Sequence, residues 1–253
     1  MDLRIHGRTA LVTGGTKGIG KAIVATFVAE GANVAFCARN AEEVAAVEAS
    51  FAGDGPTVVG TVLDVSDAEA LTAWVDDSAV RFGQIDMIVA NVSALAIPDT
   101  PENWAASIAV DLMGTVNLVG AALPYLRASD APSIIAIGSV SGREADFASG
   151  PYGTIKTALV GYISGLALQL AGEGIRANTV SPGNTYEVGG VWANIEVGNP
   201  DLFASVLAAN PTGRMGTTQE IATSVVFLSS PLSSRTTGTN LVIDGAVTRG
   251  IQL

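Results

Sequence analysis

The chain is 253 residues long, 48% hydrophobic and 15% charged, which fits one α/β domain with a buried parallel sheet. A formal charge of −11 excludes a nucleic-acid backbone as partner and disfavours an anionic membrane, because either would need a basic patch. One cysteine, Cys37, and one histidine, His6, exclude an internal disulfide and leave no His/Cys cluster for a metal. Cys37 falls within a strand-like run and reads as a buried, inert thiol. No run approaches 18 uninterrupted apolar residues, and Met1 to Arg8 lacks the apolar stretch of a signal peptide, so a cytoplasmic protein is expected.

Strand-length apolar runs alternate with helical patterns along the chain. The runs are Thr9–Thr13, Asn33–Ala38, Thr57–Leu63, Ile85–Ala90, Ser133–Gly138, Arg176–Val180 and Asn240–Asp244. Apolar residues three and four apart predict helices over Gly18–Glu30, Ala41–Phe51, Asp67–Phe82, Glu102–Leu126, Tyr152–Ala171 and Thr218–Leu228. The alternation predicts a single doubly wound parallel sheet of seven strands, Rossmann-like, with helices on both faces across residues 1–253. Its ligand crevice would lie at the carboxyl ends of the strands. The segment from Asn184 to Pro200, with Gly189, Gly190, Tyr186 and Trp192, has no clear period; a substrate lid over 184–212 is expected, an ordinary surface insertion being the alternative.

The first run ends in Thr13-Gly-Gly-Thr-Lys-Gly-Ile-Gly20, between a strand and a helix, as a dinucleotide site requires. Gly14 permits the tight turn, Gly18 lets the backbone approach a pyrophosphate, and Gly20 lets helix pack closely on strand. Lys17 and Lys21 at a helix N-terminus oppose the macrodipole and make sense beside a bound anion. NAD sites place Asp or Glu after the second strand to hold the ribose 2′-hydroxyl, whereas here Ala38, Arg39 and Asn40 stand there. Arg39 and Lys17 bracketing a 2′-phosphate favours NADP(H) over NAD(H), with Thr16, Ile19 and Asn40 beside them.

Only three lysines occur, and the third, Lys156, follows Tyr152 by one helical turn, on the same face. A nearby ammonium favours phenolate. Tyr-x-x-x-Lys alone is only suggestive, a chance surface pair being the alternative, but Ser139 follows an apolar strand and would present its hydroxyl to the same crevice. Hydride transfer to a carbonyl carbon places charge on oxygen, which Ser139 and Tyr152 would stabilise by hydrogen bonds before Tyr152 delivers the proton.

These residues resemble the compact branch of the short-chain dehydrogenase/reductase family over essentially the whole chain. The resemblance extends to Asp64-Val65, Asn91, Ile175-Arg-Ala-Asn-Thr-Val-Ser-Pro-Gly183 and Thr237-Gly-Thr-Asn-Leu-Val-Ile-Asp-Gly245. It implies that Ser139 polarises the carbonyl, Tyr152 is the general acid or base, and Lys156 supports Tyr152 and holds the nicotinamide ribose. It implies adenine contacts at Asp64 and Val65, nicotinamide contacts at Pro182, Gly183 and Thr185, and a homotetramer or homodimer, with Ala246–Leu253 consistent with a subunit contact. Two departures stand out. The family's Asn-Asn-Ala-Gly is Ala90-Asn-Val-Ser93 here, and its catalytic asparagine is Asp111 in Val110-Asp-Leu-Met-Gly114. That asparagine is thought to hold a relay water through its main-chain carbonyl, which aspartate keeps; capping of a helix bend is the alternative for Asp111.

The expected substrate is a small or medium free ketone or its alcohol, since an acidic carrier protein would meet a chain of −11. Phe147, Tyr186 and Trp192 are the candidate pocket residues, and Glu144, Asp146 and Glu187 disfavour an anionic substrate. The rival readings are a 3-oxoacyl thioester reductase and a catalytically idle NADP-binding scaffold or sensor.

Overall fold

The protein, described here by a computed structural model over residues 2–53 and 55–250, alternates strand and helix from its first buried run. Thr9–Thr13 (β1), Gly18–Ala29 (α1), Asn33–Ala38 (β2), Ala41–Ser50 (α2), Val58–Val62 (β3), Ala68–Phe82 (α3) and Met87–Ala90 (β4) form the first half. Pro101–Ser107 (α4) runs through a π-helical turn at Ile108–Met113 into Gly114–Leu126 (α5), followed by Ser133–Ile137 (β5) and Pro151–Leu170 (α6). Arg176–Pro182 (β6), Thr185–Tyr186 (β7), Val191–Gly198 (α7), Pro200–Ala209 (α8), Gly216–Thr217 (β8), Thr218–Ser229 (α9) and Asn240–Ile243 (β9) complete the order.

The seven-stranded sheet has the order β3-β2-β1-β4-β5-β6-β9, all pairs parallel. The chain winds outward from β1 to β3, then returns to place β4 on the other side of β1. Strand order therefore reverses between β1 and β4, and a crevice opens at their carboxyl ends. Because successive side chains point to opposite faces of a strand, Leu11 joins one core layer and Ala10 and Val12 the other. Leu11, Ile88 and Ile134 pack under Leu71, Trp74, Leu118 and Ile163 of α3, α5 and α6. Val12, Val89 and Ile135 pack against Ile23, Phe27, Ile221 and Val225 of α1 and α9. Burying each such side chain contributes about 1.5–3 kcal/mol, which commits the sheet to a single register.

The structure departs from the sequence pattern in two places. The helix expected to run unbroken over 102–126 is interrupted by the π-helical turn, which carries Asp111. The segment from Asn184 to Pro200, without a clear period in the sequence, holds α7, and the expected lid 184–212 also contains α8, the two helices lying between the paired strands β7 and β8. Two helical stretches, 101–126 and 151–173, are long and apolar enough by composition to cross a bilayer; in the fold each lays one face on the sheet.

Candidate active site

A cleft of about 810 Å³ opens over the carboxyl ends of the strands. Gly14, Thr16, Lys17, Ile19, Arg39, Asn40, Asp64, Val65 and Asn91 line one end of it. Ser139, Tyr152, Lys156, Pro182, Gly183 and Thr185 line its middle, and Ala94, Leu95, Ile97, Phe147, Val191 and Trp192 the far end.

The glycine loop leaves α1 ready for an anion. Lys17, the residue preceding α1, makes no side-chain cap, and no acid stands in the first turn, so the amide ends of the helix are uncompensated. Gly18 has φ of +52° and nothing within 4 Å of a Cβ added there, so the backbone lies open to a ligand. Gly20 serves packing: a Cβ there would sit 2.0 Å from the Gly14 carbonyl oxygen and 2.5 Å from Asn91 Nδ2. Asn91 Nδ2 donates to the carbonyls of Thr13 (3.0 Å) and Gly14 (3.3 Å), tying the loop to the end of β4. The second-strand end is built differently from the sequence expectation in one respect. Lys17 Nζ pairs with Glu43 Oε1 at 2.6 Å, and Thr16 Oγ1 donates to Glu43 Oε2 at 3.2 Å. That hydrogen bond from Lys17 holds the Glu43 carboxyl below its ordinary range. Sequence reasoning missed Glu43, although Asn40-x-x-Glu43 is a capping spacing, and Asn40 Oδ1 does accept from the Glu43 amide at 3.0 Å. Arg39 forms no ion pair among the described residues. Asp64 Oδ1 accepts from the Ser66 amide (2.9 Å) and hydroxyl (2.8 Å), contacts that hold its carboxyl below the usual range. Cys37 is buried as expected, and burial pushes its thiol up to about 12.

Ser139 follows β5 in extended conformation, and its Oγ accepts from the Ser141 amide at 3.1 Å, which leaves its own proton to donate. Tyr152 stands in the first turn of α6 with Lys156 one turn on, the ammonium 5.6 Å from the phenol ring centroid. Lys156 is buried; its Nζ donates to the Ile137 carbonyl at 3.0 Å and meets Asp111 Oδ1 at 3.1 Å. The main-chain carbonyl of Asp111, expected to hold a water, accepts from Thr115 Oγ1 at 2.7 Å. It is the carboxylate that faces the lysine, while its Oδ2 accepts from the Ala94 amide at 2.8 Å.

At the far end, Phe147 and Trp192 meet edge to face with centroids 6.0 Å apart. Tyr186 does not join them: its hydroxyl donates to Glu196 Oε2 at 2.7 Å and its ring packs on Phe203. Of the three acids, only Asp146 lines the cleft, where its carboxylate accepts from Ser141 Oγ (2.6 Å) and the Ala148 amide (2.8 Å). Glu144 accepts from the Arg249 amide, and Glu187 from Thr218 Oγ1, both outside it. Leu95, Ile97 and Val191 are pocket residues that sequence reasoning missed, since they lie in aperiodic segments with no motif.

A family model described as enoyl-(acyl carrier protein) reductase matches residues 14–248. An isoepoxydon dehydrogenase of Penicillium expansum is 40% identical, covering 98% of this chain and 97% of the relative. An L-fucose dehydrogenase of Bos taurus is 34% identical, with 99% and 93% covered. Among solved structures, a short-chain dehydrogenase of Burkholderia cenocepacia in complex with NADP superposes with a TM-score of 0.85 at 28% identity, covering 96% of this chain and 99% of the other. With matches of this extent, the chain belongs to the short-chain dehydrogenase/reductase family and is an oxidoreductase acting on the CH–OH/C=O couple.

Proposed function

We propose that the protein interconverts a small, uncharged, hydroxyl-bearing ketone and its secondary alcohol with NADP(H), and that ketone reduction is its main direction. One observation carries the reading: Ser139, Tyr152 and Lys156 line the same cleft as Lys17 and Arg39. The cofactor end fits a phosphorylated dinucleotide, with uncompensated α1 amides, open backbone at Gly18 and two cations beside the end of β2. When bound, NADP(H) supplies or accepts the hydride.

The residues of the chain do the rest. Ser139 and Tyr152 donate hydrogen bonds to the carbonyl oxygen as it gains charge, and Tyr152 passes its proton to the resulting alkoxide. Lys156, held from behind by Ile137, directs its remaining N–H to the cleft, toward the ribose. Asp64, Val65, Asn91, Pro182, Gly183 and Thr185 complete the cofactor groove. Trp192, buried edge to face with Phe147, forms the apolar wall of the far end, and Asp146 both repels anions and offers lone pairs to a substrate hydroxyl. The name of the L-fucose dehydrogenase points the same way, toward a sugar.

Residues 184–212 act as the lid of a single catalytic domain. The β7–β8 pairing tethers both ends of the segment, and Val191 and Trp192 of α7 reach into the cleft. We assign a homotetramer as the working form, supported by the exposed apolar residues Ile108, Met113 and Leu168 on the helical stretches around α5 and α6. Of the expected C-terminal contact at Ala246–Leu253, residues 251–253 lie outside the described residues.

The test is consumption of NADPH, and separately of NADH, against a cyclic hydroxyketone, an unsubstituted ketone, a 2-oxo acid and a 3-oxoacyl thioester. NADPH-dependent turnover of the hydroxyketone in preference to the acid and thioester is expected. Preference for the thioester would replace the proposed substrate, and binding of NADPH without any turnover would make the protein a scaffold.

A further inference from the structure

Asp111 and Lys156 form a buried ion pair beside the phenol of Tyr152, their side chains only 2% and 3% exposed. Asp111 Oδ1 has no hydrogen-bond partner among the described residues, so the lysine 3.1 Å away is its electrostatic complement. Oδ2 holds the amide of Ala94, in the segment that lines the substrate end of the cleft. The π-helical turn at Ile108–Met113 carries this carboxylate, and turns of that kind are a familiar mark of functional sites. The Asp111 carbonyl accepts from Thr115 Oγ1, while its carboxylate meets the lysine directly.

Charge decides what this does. A buried ammonium on its own favours phenolate, whereas an ammonium already matched by a carboxylate presents little net field. Few other groups bear on the pair. Tyr152 faces Lys156 from the same helix, the Ile137 carbonyl from β5, and Asp111 from the π-helical turn. Asp146, in the loop after β5, is the other carboxylate at that end of the cleft, while Lys17, Arg39, Glu43 and Asp64 sit at the opposite end.

We propose that the Asp111 carboxylate is a positioning residue that locks the Lys156 ammonium to the Ala94 segment and offsets its field at Tyr152, the proton donor in ketone reduction. The inference rests on the assignment of Tyr152 as proton donor made above. It differs from a packing role because it predicts the direction of a pH effect.

The experiment is the pH dependence of kcat for alcohol oxidation, which requires phenolate, in wild type and Asp111→Asn. Asparagine keeps the shape and an acceptor for the Ala94 amide while removing the charge. The acidic limb of Asp111→Asn is expected about one unit lower than that of wild type, the lower end of the range for a close, uncompensated charge. Asp111→Glu, which restores the charge, should return the limb toward wild type even where kcat is lower. An unmoved limb, or one moved to higher pH, overturns the proposal. If wild type shows no turnover, or Tyr152→Phe retains it, the reading of the site fails instead. A measurement on the unmodified protein covers the case in which the variants do not fold. Only three lysines are present and Lys17 and Lys21 are both exposed, so side-chain nitrogen NMR should show one slowly exchanging lysine ammonium, that of Lys156. Three rapidly exchanging signals would show that the lysine is not held, and would overturn the proposal equally.

Discussion

At the scale of single residues, the cofactor end holds a competition that the sequence did not reveal. Arg39 and Lys17 were read as a phosphate bracket from the missing acid after β2, because that rule concerns residue type at a fixed place, and both line the cleft. Glu43 was not, because its carboxylate reaches Lys17 only once α2 is capped by Asn40 and turned toward the loop. A 2′-phosphate held at the proposed bracket would share Lys17 with this acid and meet its repulsion. Glu43→Gln is therefore expected to tighten NADPH by roughly two- to fivefold, a small effect because the pair is exposed and screened. NADH, which lacks the phosphate, should bind as before. Equal changes for both cofactors in a fluorescence titration would remove Glu43 from cofactor choice. Tyr186 shows the opposite failure of reading: an aromatic in the expected lid segment pointed to the pocket, yet a nearby Glu196 and Phe203 satisfy it elsewhere.

Among the elements, strands were legible because their runs are short, apolar and evenly spaced, and the seven expected runs all fall on strands of the large sheet. The break in the 102–126 helix was not legible. Its apolar spacing continues through Val110 and Leu112, and the π-helical turn is tied to tertiary contacts of Asp111 with Lys156 and Ala94. Helix α7 escaped because Gly189, Gly190 and Pro200 bracket a helix of only eight residues, too few to show a period, and α8, which starts at that proline, was read as part of the same lid. Arg176 illustrates how an element end is finished. Its guanidinium, buried and pulled down to about 10 by desolvation, donates to the carbonyls of Leu228 (2.6 Å), Ser229 (3.0 Å) and Ser230 (3.1 Å) at the end of α9. Arg176→Met would leave the Ser229 carbonyl without this donor and the Leu228 and Ser230 carbonyls with Ser233 alone, and a loss of about 3 kcal/mol is expected from breaking this buried network. For a chain of this size that is a fall of roughly 6–12 °C in Tm by calorimetry. A variant melting within a degree of wild type would show that water replaces the guanidinium at no cost.

For the whole molecule, charge sets the response to acid. The carboxyls of Glu43, Asp64, Asp130, Glu173 and Glu220 are all held below their ordinary values, Glu220 at about 2 against 4.5 through its hydrogen bond to Arg214. A lowered value in the folded state contributes stability above the unfolded value and loses it as pH falls toward the folded one. Tm is therefore expected to hold from neutral pH to about 5 and to decline from about 4.5 toward 2. A rise in Tm across that lower window would mean that relief of the −11 self-repulsion outweighs the ion pairs. The same fold that distributes these charges at the surface brings Ser139 from β5 and Tyr152 and Lys156 from α6 to one cleft. The most direct test of that arrangement is turnover by Tyr152→Phe with NADPH and the preferred ketone, measured together with NADPH binding. Loss of turnover by at least about a hundredfold with binding unchanged is expected, since removal of a general acid forfeits about 10²–10⁴ in rate. Turnover near wild type would contradict the assignment of Tyr152 as the proton donor and with it the account of the site.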